Sequence, residues 1–410
     1  MKNLRFIPVN LLAPICILAP MLFSTTAQVQ QHEVNVTNIS VPIRIFEDSR
    51  FIDDLRITDF EILEEGVPQV IDALYLADRN RLTREEEYKE YFPELNRHYY
   101  LIFQVQDYNP KFSEAIDYLF HEVLLPGDSL EITTPVNNYA LSPEAWENKS
   151  LDALSQELQQ LVRKDAKIGA SAYRSLMQDL TRLVRALSGA RGTSGFTESD
   201  ATTSSFSLEF LLPRYRETLE KMETLRLVDE RRFLAYASRL KRTSGQKNVF
   251  FFYQREFRPE IQPRIVSMYM SAYQDQPNIL GDLQDLMNFY RRDSRVDVDI
   301  IKQAYADSSV FFNFIFMQKD PEHISGIHMR EQSEDMFELM SEIALSSGGI
   351  VDTSQNPSIA FQSGTDKADH FYILYYTPKD YVKDGKFKNI EVRVKEKPYK
   401  LSYRKGYYSN

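Results

Sequence analysis

Two hydrophobic rhythms divide the chain. From residue 34 to residue 77 apolar and polar positions alternate. Val34, Val36, Ile39, Val41, Ile43 and Ile45 form the first run, with one slip of phase at Asn38. Leu55, Ile57, Phe60, Ile62 and Leu63 follow, then a turn at Glu65-Gly66 and a resumption at Val70. A period of two belongs to half-buried strands, and short strands with carboxylate-rich turns predict half of a small β-sandwich. A segment of about forty residues buries too little surface to stand alone, so it must pack on something else.

After residue 98 the rhythm changes. Continuous apolar runs at 100–103, 249–253 and 310–316 read as strands buried on both faces, the kind found inside parallel sheets. A further strand is expected within 126–136, a short one after Gly348-Gly349, and a last core strand at 370–378. Between them apolar residues recur at helical spacing. Phe112, Ala115, Ile116, Leu119 and Phe120 mark one helix, and a tract from 206 to about 243 marks another. A third, beginning near Ser333, stops at Gly348. Leu151, Leu154, Leu158 and Leu161 make one stripe, and Leu176, Leu180, Leu183 and Leu187 a second, ended by Gly189; together they predict a helical hairpin. Residues 188–205 have the composition of a mobile loop, and 81–97 that of a charged connector. Alternating strands and helices from 98 to 378 imply a parallel sheet covered on both faces. The period of two returns at 389–407, as two antiparallel strands around Pro398. Neither terminal β segment can bury a core, so the two are expected to join in one sandwich from which the α/β domain projects.

Composition narrows the possibilities. With 410 residues and 43% apolar content, the chain can fill several cores. A formal charge of −10 argues against nucleic acid, whose phosphates need clustered Lys and Arg; the locally basic stretch 379–405 reads as a solvated hairpin face. Residues 1–27 carry the marks of a removable export signal: Lys2 and Arg5, an apolar stretch from 6 to 23, and small residues Thr25 and Ala27 before Gln28. Pro8, Pro14 and Pro20 suit a membrane-spanning helix poorly. The single cysteine, Cys16, lies in this segment and follows Ile15 rather than a small residue, which argues against a lipid anchor. The mature chain would then owe nothing to disulfides. The expected layout is a signal peptide at 1–27, an N-terminal β segment at 28–80, the connector at 81–97, an α/β domain at 98–378 with a helical insertion at about 142–205, and a C-terminal β segment at 379–410.

Three stretches give this layout a resemblance. The leader at 41–71 ends in Asp59-Phe60 and Glu64-Glu65-Gly66. "SSGGIVDTS" joins a helix, a Gly-Gly stop and a strand. "FYILYYTPKDYVKDGKFKNIEVRVKEKPYKLSYRKGYY" carries a Y-x-L-x-Y-x-P strand, a D-G-K turn and a terminal R-x-G-Y-Y. Together they resemble the bacterial von Willebrand factor A (VWA)-related family first noted in acidobacteria. The resemblance implies a VWA-like, Rossmann-type parallel sheet flanked by helices, with a β-sandwich built from the two terminal segments. It also implies a role in protein–protein contact and adhesion.

Many members hold a divalent cation at a metal-ion-dependent adhesion site led by D-x-S-x-S at the end of the first strand. Laid on this chain, the motif puts Gln104, Gln106 and Tyr108 where Asp, Ser and Ser are expected. The loop "NNYALSPE" offers no clear Thr, and the strand at 249 ends in Gln254, Arg255 and Glu256 instead of Asp-Gly. Amide oxygens carry no charge and Arg255 would repel a cation, so no metal or other cofactor is expected. Asp107 and Glu256 are the candidate ligands should one bind. The degenerate tip, comprising Gln104, Gln106, Asp107, Tyr108, Asn109, Gln254, Arg255 and Glu256, is expected to meet a protein partner through adaptable polar contacts. The faces of the helical hairpin offer a second surface.

Other constellations fail on geometry. His323 and His328 are five positions apart, a spacing that does not align two imidazoles on one helical face. "GARGTSG" follows a helix and lacks the Gly-Lys-Ser/Thr ending of a phosphate loop. Asp53-Asp54, Glu64-Glu65 and the run Glu85 to Glu87 read as turn and surface residues. There is no G-x-S-x-G elbow, and no catalytic residue is assigned. The expectation is an exported, periplasmic or extracellular, non-enzymatic interaction protein. The alternatives are metal-dependent adhesion, or an envelope hydrolase built from Asp107, Glu256 and Asp352.

Overall fold

The computed structural model describes residues 37–48, 50–188, 198–226, 229–290, 296–324, 327–354, 356–395 and 397–410. The proposed export signal, Val34 and Val36 lie outside them. Mixed α/β architecture is organised around two bodies of sheet.

The first body holds six strands in the spatial order Val351–Asp352, Val310–Met317, Gln246–Gln254, Arg97–Gln104, Ser129–Thr133 and Asn138–Ala140. Five run parallel, and Asn138–Ala140 is an antiparallel edge. Counted along the chain the order is 3-2-1-4-5-6, with a switch point where the order reverses between Arg97–Gln104 and Gln246–Gln254. Gln246–Gln254 is buried at every position, as is Val310–Met317, because successive side chains feed opposite faces that are both covered. On one face Phe103, Phe250 and Phe252 pack with Phe112, Ile116, Leu154 and Leu158 from helices. On the other, Val249, Phe251, Phe312 and Phe314 meet Leu240, Ile301, Tyr305 and Ile343. The central rings of Phe103 and Phe252 stack with centroids 4.9 Å apart, edge-on to Phe112.

The second body contains two antiparallel sheets. One runs Lys400–Tyr403, Ile39–Glu47, His370–Tyr376, Ile71–Asp78, Arg81–Glu87; the other Gly406–Tyr408, Phe387–Val394, Phe60–Glu64, Val67–Gln69. Val41, Ile43 and Ile45 share a core with Ile62, Ile390, Val392 and Tyr407, so the two sheets face each other. The two ends of the chain therefore meet, with Ile43 opposite Tyr403 and Ile390 opposite Glu64.

Several expectations give way. The strand His370–Tyr376 does not close the parallel sheet but pairs between Ile39–Glu47 and Ile71–Asp78. Both of its faces are covered there too, and an apolar run does not reveal which sheet buries it. The charged connector is partly the strand Arg81–Glu87, whose alternating exposure and acidic side chains suit a sheet edge that must not recruit another chain. The helical hairpin is one helix, Leu151–Leu187. The loop expected at 188–205 contains the start of helix Glu198–Arg226; residues 189–197 are outside the description. The tract to 243 is two helices, this one and Glu230–Arg242.

Helices Pro263–Ala272 and Pro277–Tyr290, absent from the sequence reading, complete a separate helical lobe. Its core joins Leu180, Val184 and Leu187 to Leu212, Tyr215, Leu219, Leu283 and Phe289. Among the described residues no helix is long and apolar enough to cross a membrane.

Candidate functional site: the strand-edge tip

Arg97–Gln104 and Gln246–Gln254 run side by side and parallel, with Gln104 opposite Tyr253, so their C-terminal ends open at the same edge beside the switch point. In open α/β sheets such a crevice is where ligands bind. Here the protein's own side chains occupy it. The Gln254 amide oxygen, buried at the strand end, accepts hydrogen bonds from the backbone N–H groups of Gln106 and Asp107, each at 3.1 Å. A neutral amide thus ties down the loop after the first strand. The Lys319 ammonium, two residues beyond Val310–Met317, lies 2.5 Å from the Asp107 carboxylate. The one carboxylate of this loop is therefore already ion-paired.

The rest of the loop is held locally. The Tyr108 hydroxyl shares a hydrogen bond with Ser113 at 2.9 Å, its ring packs on Phe112, and burial raises its pKa. The Asn109 side chain accepts from Lys111 N at 2.9 Å and closes the turn into helix Lys111–Tyr118. Gln104 is exposed at the end of its strand, and Gln106 is half-buried.

Arg255 and Glu256 belong to a different neighbourhood. The chain leaves the central strand into a two-stranded ribbon, Phe257–Glu260 paired with His328–Glu331. Arg255 donates to Glu331 and to Gln318, the latter at 3.2 Å, with its guanidinium 5.1 Å from the centre of the Phe257 ring. The hydrogen bond with Glu331 raises the Arg255 pKa, and the same bond holds Glu331 below its usual value. Glu256 is buried, its N–H directed to Ser333 Oγ at 3.4 Å and its carbonyl accepting from Gln332 N at 3.1 Å. The eight expected residues thus split into a loop cluster secured by Gln254 and Lys319, and a ribbon cluster secured by Glu331 and Ser333. Asp107 and Glu256, the candidate metal ligands, are engaged separately. Asp352 accepts from the backbone of Ser354 at 2.8 Å.

Sequence reasoning missed Lys319, Gln318 and Glu331. The first two stand directly after a parallel strand, a position at which every strand end deserves the scrutiny given to Gln104 and Gln254. His323 and His328 are both exposed. Among the described residues no group of three or more His, Cys, Asp or Glu is placed to hold a metal ion. The groups that do converge on the loop are amides, one carboxylate and one cation, Lys319, a set that disfavours a divalent ion. Comparison with family models, curated proteins and solved structures yields no match.

Proposed function

We propose that this chain is an exported, non-enzymatic interaction protein of VWA-like fold, whose strand-edge tip contacts a protein partner without a bound metal. The support is cumulative. Five parallel strands with helices on both faces are in keeping with the sheet that the motif resemblance implies. The observation that carries the reading is the pairing of Lys319 with Asp107, which puts an ammonium where a cation-dependent site needs a free carboxylate. What remains presented at the edge is Gln104, half-buried Gln106, Tyr108 and Asn109, a polar and partly aromatic surface of the type that forms adaptable contacts.

The test has two arms. Calorimetric titration of the full chain with Mg²⁺, Ca²⁺ and Mn²⁺ is expected to give no saturable heat, and chelator treatment to leave partner recovery unchanged. Cross-linking in the native host is expected to join Lys319 or Lys111, the amines flanking the tip, to a second protein. The exposed substitution Gln104→Arg should abolish that cross-link while leaving thermal unfolding unchanged. Saturable metal binding at the tip, or cross-links indifferent to Gln104→Arg, would defeat the proposal.

A further inference from the structure

At the opposite edge of the parallel sheet, where it meets the outer face of the sandwich, lies a cavity of about 380 Å³. That volume is in the range of small-molecule sites. Its walls are Pro42, Phe371, Ile373 and Tyr375 from the sandwich, and Lys247 and Phe311 from the parallel strands. Phe92, 83% exposed, and Glu94 stand on the rim.

The charges around this cavity do not balance. Lys247 is 5% exposed, and its ammonium makes one hydrogen bond, to the Thr243 carbonyl at 2.9 Å. Arg44, 4% exposed, lies with its guanidinium carbon 3.3 Å from the centre of the Phe311 ring that forms part of the wall. Arg404, also buried, donates to the carbonyl of Ser40, another wall residue, at 2.7 Å. Among the described residues none of these three cations has an ion-pair partner. Of the nearby carboxylates, Asp307 pairs with Lys241 at 2.6 Å and Asp369 pairs with Arg79 and Arg97, while Glu94 is exposed on the rim. Buried charges are ordinarily paired, because removing an ion from water costs several kcal/mol. Lys247 in the wall of this aromatic-lined cavity, with Arg44 and Arg404 each touching a wall residue, leaves a position that an anion would neutralise.

We infer that the cavity binds an organic carboxylate, its apolar body against Pro42, Phe311, Phe371 and Ile373 and its carboxylate ion-paired with Lys247. The aromatic walls favour an apolar body over a bare inorganic ion, and the narrow polar component is the usual division of labour in small-molecule sites. Burial first, and the nearby Arg404 charge second, lower the Lys247 pKa to about 8, and burial lowers Arg44 as well. A carboxylate against Lys247 would raise its pKa again. The exposed Glu94 carboxylate sits at the mouth, where water screens it, while the floor is cationic. This site is remote from the strand-edge tip and stands or falls independently of the partner-binding role.

The probe is 2-naphthoate, with the neutral 2-naphthalenemethanol as control, titrated into the full chain by calorimetry. Naphthoate is expected to bind at least about tenfold more tightly than the alcohol, the margin of one buried charge pair. Lys247→Met, which keeps the apolar stem, should cut naphthoate affinity by a similar factor with the unfolding midpoint equal or higher. In the unmodified chain, naphthoate should also slow acylation of the Lys247 amine, read by peptide mass spectrometry, which keeps the test decisive if the variant folds poorly. Equal affinity for acid and alcohol, undiminished binding by Lys247→Met, or unprotected Lys247 would each overturn the inference.

Discussion

Lys247 is a buried cation with a single hydrogen bond, and its protonation should be visible in stability. A lysine whose folded pKa lies below its unfolded one binds fewer protons folded than unfolded between those values, so stability climbs with pH across that window. For Lys247 the window runs from about 8 to the unfolded 10.5. Tyr375, on the same wall, is pushed up to about 12 by burial and stays protonated there. Relative to Lys247→Met, the unmodified protein should gain about 2 kcal/mol in denaturant unfolding between about pH 7 and about pH 9.5. A constant difference would mean the ammonium is solvated. Gln254 makes the complementary case of a neutral group with a structural task. Gln254→Ala removes the acceptor of two loop N–H groups and should cost about 1–3 kcal/mol, with the loss of order confined to residues 104–109 in hydrogen exchange.

Among the elements, the helix Leu151–Leu187 has the largest consequence for the layout. Its first half buries Leu154, Leu158 and Val162 on the parallel sheet, and its second half buries Leu180, Val184 and Leu187 in the helical lobe. At about 1.5 Å per residue it is a strut of about 55 Å between them. Two leucine stripes, the second ended by Gly189, read as a hairpin, but the segment between them is helical and its Gly169 serves close packing. A Cβ there would lie 2.4 Å from the Pro135 side chain. Gly169→Leu should therefore destabilise by about 1–3 kcal/mol despite the better helix propensity of leucine, measurable by urea unfolding. The same contrast explains what the sequence could and could not convey. The apolar runs 249–253 and 310–316 identified buried strands because few other settings bury every position. His370–Tyr376 has the same pattern, and only the pairing partners, hundreds of residues away, decide its sheet. Pro277, Ile279, Leu283, Leu286 and Phe289 carry a clear helical spacing that went unread. At the tip, residues within one strand end were legible, whereas Lys319 closes on Asp107 across 212 positions of sequence, beyond the reach of any local motif.

At the scale of the molecule, the question is whether sandwich and parallel sheet unfold together. The chain passes from helix Pro357–Asp369, packed on the parallel sheet, directly into His370–Tyr376, a central strand of the sandwich. At that crossing Asp369 meets Arg79 of the sandwich at 2.9 Å and the buried Arg97 of the parallel sheet at 3.4 Å. Arg97 in turn holds Asp128 with two hydrogen bonds and donates to the Val123 carbonyl at 2.7 Å. Breaking one partner out of such a network leaves the other charge buried and unpaired, a loss of about 3–5 kcal/mol. The two bodies therefore share both a chain crossing and an ion network, and scanning calorimetry should show one transition for sandwich and parallel sheet together. Arg97→Met leaves Asp128 without its partner and removes one of the two arginines on Asp369 while preserving bulk, so it should lower the midpoint of that transition and separate it into two. Two transitions in the unmodified protein would show that the sandwich folds independently and that the Arg79–Asp369–Arg97 contacts do not couple it to the parallel sheet.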